Sequence, residues 1–179
     1  MTTDTVTLFF ALLAVAALTF ACATLVAFAT RNRIGWWAGL VEAVGPSGLA
    51  LAAAVASTAT LGSLYLSEVA HFPPCRMCWY QRIAMYPLAV ILTMAAVRRD
   101  TGVVRYVRVL AAIGVLFSAY HVLLEYFPSL ETGACDPDNP CSIVWVRHLG
   151  VFTVPFMAGS GFLAIIAATS LAVAVRSEE

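Results

Sequence analysis

The sequence predicts an all-α fold, a polytopic helical bundle built for lipid, and three observations carry that prediction. Apolar residues make up 61% of the 179 and charged residues only 11%. Mean hydropathy is +0.89, whereas a soluble domain of this length needs far more polar surface. Five stretches approach the roughly 20 apolar residues that a bilayer core demands: Leu8–Ala29, Leu49–Val69, Trp79–Val97, Val109–Phe127 and Gly150–Val175. The connections are too short for a separate soluble domain. Lipid offers no partner to an unpaired backbone group, so the spans are expected to be helices.

The first stretch could be a secretory signal, but Met1-Thr-Thr-Asp4 carries no positive charge and the apolar run exceeds a signal core. It is read as an uncleaved span. Cys22, midway along it, has no cysteine nearby and reads as a small buried hydrophobe.

All ten basic residues are arginines, and their placement predicts the topology. Arg31 and Arg33 follow the first span, Arg98, Arg99, Arg105 and Arg108 lie between the third and fourth, and Arg176 follows the fifth. These positions alternate correctly for one face, which the positive-inside rule makes cytoplasmic. The N-terminus and the loops near 70–78 and 128–149 are then expected outside, with Glu131, Asp136 and Asp138 in the second loop. The formal net charge of zero conceals this sidedness, and nothing points to a nucleic-acid partner.

The segment from Gly35 to Gly48 reads as the longest inner connection, with Trp36 and Trp37 as interfacial anchors. The second span is rich in small residues (Ala52, Ala56, Gly62 among them), as is Ala158-Gly-Ser-Gly161, and such residues let helices approach closely in lipid. Pro87 and Pro155 fall inside predicted spans and are expected to kink them. Ser142–Leu149, with Trp145 among aliphatics, suits a segment lying on the membrane surface.

Four of the five cysteines fall in the two outer loops: Cys75 and Cys78, then Cys135 and Cys141. Outside the cytoplasm disulfides persist. Three readings compete: two structural disulfides, a four-cysteine zinc site, or redox-active pairs. Cys-x-x-Cys is a metal spacing, but the second pair encloses five residues and an oxidising compartment disfavours thiolate ligands. The surroundings of the first pair favour redox chemistry. Pro73-Pro74 ends any helix before Cys75, so Cys78 is expected at a helix N-terminus, where exposed N–H groups stabilise a thiolate. Arg82 follows one turn later, and a guanidinium inside the edge of a span is a functional candidate. Together these should lower the Cys78 pKa; the plainer reading of Arg82 is snorkelling. His121 and Glu125 are four apart near the outer boundary, either an interfacial pair or polar groups facing the same pocket as Arg82.

Cys75-Arg-Met-Cys-Trp-Tyr-Gln-Arg82, continuing Ile83-Ala-Met-Tyr-Pro87, closely resembles the first-loop motif of the DsbB/BdbC disulfide bond formation proteins. Tyr120-His-Val-Leu-Leu-Glu125, the Cys135…Pro140-Cys141 loop and Thr153-Val-Pro155 resemble later landmarks of that family. The resemblance covers roughly Leu49 to Val175. It implies a four-helix membrane domain over 47–179 and sets 1–46 apart as an extra N-terminal helix and cytoplasmic linker.

The resemblance further implies a thiol oxidase of the bacterial cell membrane. Such an enzyme takes electrons from a thioredoxin-like, DsbA-like extracytoplasmic protein and passes them to a membrane quinone, ubiquinone or menaquinone. By motif position Cys135 and Cys141 would meet the partner, and Cys75 and Cys78 would stand next to the quinone. Cys78 would contact the ring, Arg82 would stabilise negative charge, and His121 would belong to the quinone pocket. The polar, turn-rich run Asp136–Pro140 suits a mobile loop that a soluble protein can reach. Two rivals remain: a membrane scaffold whose disulfides only staple its loops, and a quinone-linked oxidoreductase like vitamin K epoxide reductase, in which the Cys-x-x-Cys is expected on a later helix.

Overall fold

The computed structural model describes residues 2–31, 36–131, 133 and 135–178. Among these, five helical segments are long and apolar enough to cross a bilayer: Thr3–Ala29, Trp36–Val69, Arg76–Arg98, Val104–Tyr126 and Val154–Val175. The protein is a multi-pass membrane helical bundle. Its helices are α1 (Thr3–Ala29), α2 (Trp36–Val44), α3 (Gly48–Leu64), α4 (Arg76–Arg98), α5 (Val104–Tyr126) and α6 (Val154–Glu178).

α6 is the hub, packed against α1, α3 and α5, while α4 joins α3 to α5. The core between them is aliphatic, with Leu88 and Leu92 of α4, Val107 and Ala111 of α5, and Phe162 and Ile165 of α6. Without water's hydrophobic drive between helices, close packing must supply cohesion, so small residues sit where helices meet. At Gly114 a Cβ would fall 2.4 Å from the Phe162 ring, so the missing side chain is what seats that phenylalanine. The opposite face of α1 is apolar and exposed, with Phe9, Leu12 and Leu25 more than half exposed, as a lipid-facing surface requires.

Three expectations change. The stretch read as an inner connection is helical from Trp36: α2, a 3₁₀ turn at Gly45–Ser47 and α3 follow one another without a break. Residues 36–44 contain a single charge, Glu42, and no proline, so nothing stops a helix before Pro46. Trp37 packs edge-on to Phe28 at 5.2 Å, while Trp36 is exposed; Gly35 and Arg33 lie outside the described residues.

Pro155 does not interrupt a span, because α6 starts at Val154 and the ring occupies a first turn that has no N–H to lose. Ahead of it, Arg147–His148 (β1) pairs antiparallel with Phe152–Thr153 (β2). Leu149 at φ 50° and Gly150 at φ 82° turn that hairpin. Trp145 stacks on Phe72 at 5.3 Å, so this segment packs on the end of the bundle. Cys22 is exposed on the outer face of α1, not buried. Pro87 lies within α4, which continues through it.

Two contacts sort the ends of the bundle. Thr7 Oγ1 lies 2.9 Å from His148 Nε2, so the N-terminal end of α1 stands beside the hairpin and both cysteine loops. Gly45 abuts Val175, so the start of α3 meets the end of α6 at the opposite end.

Candidate functional site

Pro73-Pro74 closes off the preceding π-helical turn (Tyr65–Val69), and Cys75 becomes the N-cap of α4 in extended conformation. Its Sγ accepts the Cys78 backbone N–H at 3.3 Å. The two sulfurs, both present as thiols, lie 3.0 Å apart. Cys78 thus occupies the first turn as expected, but the capping position, to which the sequence reading assigned no role, belongs to Cys75. The hydrogen bond with the Cys78 thiol, aided by His121 and the Cys78 N–H, holds the Cys75 thiol far below its usual range, at about 4, although burial opposes this.

His121 of α5 ties the site together. Its Nε2 lies 3.6 Å from Cys75 Sγ and 3.1 Å from the Cys141 carbonyl oxygen, while Nδ1 lies 3.4 Å from Gln81 Nε2. A carbonyl only accepts, so the network assigns a hydrogen to Nε2. Glu125, one turn further along α5, lines the same cavity as His121 and Arg82, and its Oε2 is buried with no hydrogen-bond partner among the described residues.

Arg82 is 8% exposed, so it does not snorkel. Its Nε donates to Ser63 Oγ and its Nη2 to Ser63 O, both at 2.9 Å, and its guanidinium lies 5.2 Å from the Trp79 ring centroid. No carboxylate among the described residues pairs with it. Ser63 and Gln81 were missed by sequence reasoning. Gln81 stands inside the motif next to Arg82, which was a usable signal; Ser63 is one hydroxyl residue among several in α3.

Cys135 and Cys141 form a disulfide. The sequence reading placed this pair in a polar, mobile loop, yet both cysteines are buried and cluster with Cys75, Met77 and Leu124. The disulfide is apolar, and the bundle end offers it an apolar seat. The loop is tied down by Asn139 Nδ2 donating to Pro74 O at 3.3 Å and by the Cys141 N–H donating to the Glu131 carboxylate.

Cys75, Cys78, Gln81, Arg82, His121 and Glu125 all line one cavity of about 580 Å³, whose remaining walls are largely apolar. The arrangement can therefore pass a disulfide between two adjoining pairs at the edge of a lipid-like chamber.

The profile of the family described as "Disulfide bond formation protein DsbB" matches residues 45–172. The disulfide bond formation protein C of Bacillus subtilis (strain 168) is 42% identical over 125 residues, covering 69% of this chain and 91% of that protein. A probable disulfide formation protein of Oceanobacillus iheyensis is 41% identical over 109 residues, 60% of this chain and 75% of that protein. One of Coxiella burnetii (strain RSA 493 / Nine Mile phase I) is 46% identical over 101 residues, 55% of this chain and 69% of that protein. No solved structure matches the chain.

Proposed function

We propose, because this chain belongs to the DsbB family of disulfide bond formation proteins, that it reoxidises a thioredoxin-like, DsbA-like extracytoplasmic protein and delivers the electrons to a membrane quinone. The disulfide oxidoreductase role follows from the family. One observation carries it: Cys75, Cys78, His121 and Arg82 line the polar end of an otherwise apolar cavity, and the Cys135–Cys141 disulfide packs against Cys75.

The residues fit such an acceptor. A flat, lipid-soluble dicarbonyl needs hydrogen-bond donors at one end and apolar walls elsewhere. Arg82, with no carboxylate partner among the described residues, and Gln81 supply donors at the polar end, beside His121. When bound, a quinone supplies a two-electron, two-proton sink within the bilayer.

The protein's own steps are thiol–disulfide exchanges. A partner thiolate attacks Cys135, freeing the Cys141 thiolate, and the partner's second thiolate completes the partner disulfide as Cys135 leaves. Cys141 then attacks Cys75 of an oxidised Cys75–Cys78 pair, and Cys78 leaves as a thiolate beside the cavity. Cys135 attacks Cys141, re-forming that disulfide and expelling Cys75. A low-pKa thiol is the better leaving group, and once Cys78 has taken up a proton its hydrogen bond favours Cys75 as the thiolate that is expelled. Over the cycle two partner thiols lose two electrons and two protons, which leave through the Cys75–Cys78 dithiol. Arg82 favours negative charge on Cys78, and His121 holds Cys75 and the Cys141 backbone in register.

The cysteine end faces outward and the arginine-rich end faces the cytoplasm of a bacterial cell, by the positive-inside rule. Mass spectrometry of quinone extracted from the purified protein, with an assay of thiol oxidation in a reduced thioredoxin-fold protein, tests the reading. A bound quinone and quinone-dependent oxidation are expected; the absence of both overturns it.

A further inference from the structure

The extra helix α1 precedes the family match at 45–172, and the sequence assigned it no role. In the structure it is a wall of the cavity. Phe10, Leu13, Ala14, Ala17 and Phe20 of α1 all line the chamber, as does Thr7 near the outer end. From Thr7 to Phe20 at 1.5 Å per residue this wall is about 20 Å long, well over half of a bilayer core. α1 and α3 both pack on α6, and the chamber runs between them, with Val55 and Ala59 of α3 facing α1 and Ala158 and Gly161 of α6 behind.

α1 narrows this channel at defined places. A Cβ on Gly62 would fall 2.8 Å from the Phe10 ring, so Phe10 presses onto α3 next to Ser63, the residue that holds Arg82. Further along, Ala14 and Ala17 leave room, and then Phe20 packs against the aliphatic core. The outer end of α1 is pinned by Thr7 to His148. The result is a polar chamber at Arg82 and His121 that continues as an apolar channel, walled on one side by alternating large and small residues.

We propose that α1 forms the tail-binding wall of the acceptor site and makes the protein select acceptors carrying a long, slender apolar chain, with Ala17 as a specificity-determining position. This rests on the quinone reading given above. The head of such a ligand meets Arg82, Gln81 and His121, while its tail lies between α1 and α3 along Ala14 and Ala17. By covering one side of the channel, α1 converts tail burial into retention, since each buried methylene adds to affinity.

The test uses the full-length protein in detergent and matched pairs of tail-less and polyprenylated benzo- and naphthoquinones, read by thermal shift and by quinone retained after gel filtration. For the parent, the prenylated member of a pair is expected to stabilise and be retained. Ala17→Phe fills the channel and should weaken retention of prenylated quinone roughly tenfold, the scale of about two lost methylene contacts, while leaving the tail-less response unchanged. Should Ala17→Phe fail to fold, Ala17→Cys in a Cys22→Ser background provides a milder probe: prenylated but not tail-less quinone should slow alkylation of the introduced thiol. Unchanged prenylated-quinone retention in Ala17→Phe, or alkylation indifferent to it, overturns the role of α1. A parent that responds to no quinone overturns the functional reading itself, and the role of α1 with it.

Discussion

His121 Nε2 stands 3.6 Å from the Cys75 sulfur and 3.1 Å from the carbonyl oxygen of Cys141, so one imidazole edge touches both cysteine pairs. The pairs are far apart in the chain, Cys78 and Cys135 being their nearest members, yet both lie within reach of this one ring. His121→Ala is expected to slow disulfide transfer between the pairs, leaving the reaction of Cys135–Cys141 with a partner intact. Quenched-flow alkylation that resolves the two pairs checks this, and equal slowing of both steps would count against it.

The Cys75 thiol is lowered to about 4, chiefly by its hydrogen bond with Cys78. In reduced protein the thiolate therefore persists above that pH and is lost only as pH falls through it. Alkylation of Cys75 should be nearly flat from neutral pH down to mildly acidic pH and then drop. Cys78→Ala removes the largest cause and should move the drop upward, with His121→Ala moving it less. A rate that declines steadily from alkaline pH through neutrality would refute this assignment.

Arg82 donates to Ser63 and faces the cavity without a carboxylate partner among the described residues. Arg82→Ala should reduce quinone retention and turnover by about one to two decades, the range of charge-assisted hydrogen bonds at roughly 1.5–3 kcal/mol, and lower the melting temperature far less. Ser63→Ala loosens the guanidinium without removing it, so a smaller loss in the same direction is expected. Parallel losses of stability and turnover would make Arg82 a structural residue.

Carefully oxidised protein, denatured and alkylated, should show Cys22 as its one free thiol and two disulfides. Cys135→Ala should abolish electron uptake from a thioredoxin-like partner, while Cys75–Cys78, reduced by a small dithiol, still reacts with added quinone. Partner oxidation at the parental rate in that variant would reduce the second disulfide to a staple.

Gly114→Ala places a methyl 2.4 Å from the Phe162 ring and should destabilise the bundle by about 1–3 kcal/mol through overpacking. Thermal unfolding in detergent measures it. Phe162→Leu in the same chain should recover part of the loss; no recovery would mean the strain lies elsewhere.

Membrane crossing, the existence of five spans and the cysteine motif were legible in the sequence, because each depends on residue type over a short stretch. Lipid demands a run of apolar residues wherever the chain crosses, and Pro73-Pro74 before Cys75 stops a helix whatever lies nearby. The start of α6 was not legible: β1 and β2 pair across Leu149 and Gly150, and that pairing moves Pro155 from inside the expected span to the first turn of α6. Nor was the partner of Arg82, since Ser63 sits 19 positions away on another helix and its hydroxyl looks like any other in a small-residue span. The tertiary structure alone decided that the thiolate-stabilising cap falls to Cys75, that the second disulfide is seated against the first pair, and that α1 lines the cavity. The physical reason is common to all three. Helix formation in lipid is decided locally by backbone hydrogen bonding, whereas side-chain neighbours are set by which helix faces meet, and in a uniformly apolar sequence amphipathic periodicity does not mark those faces.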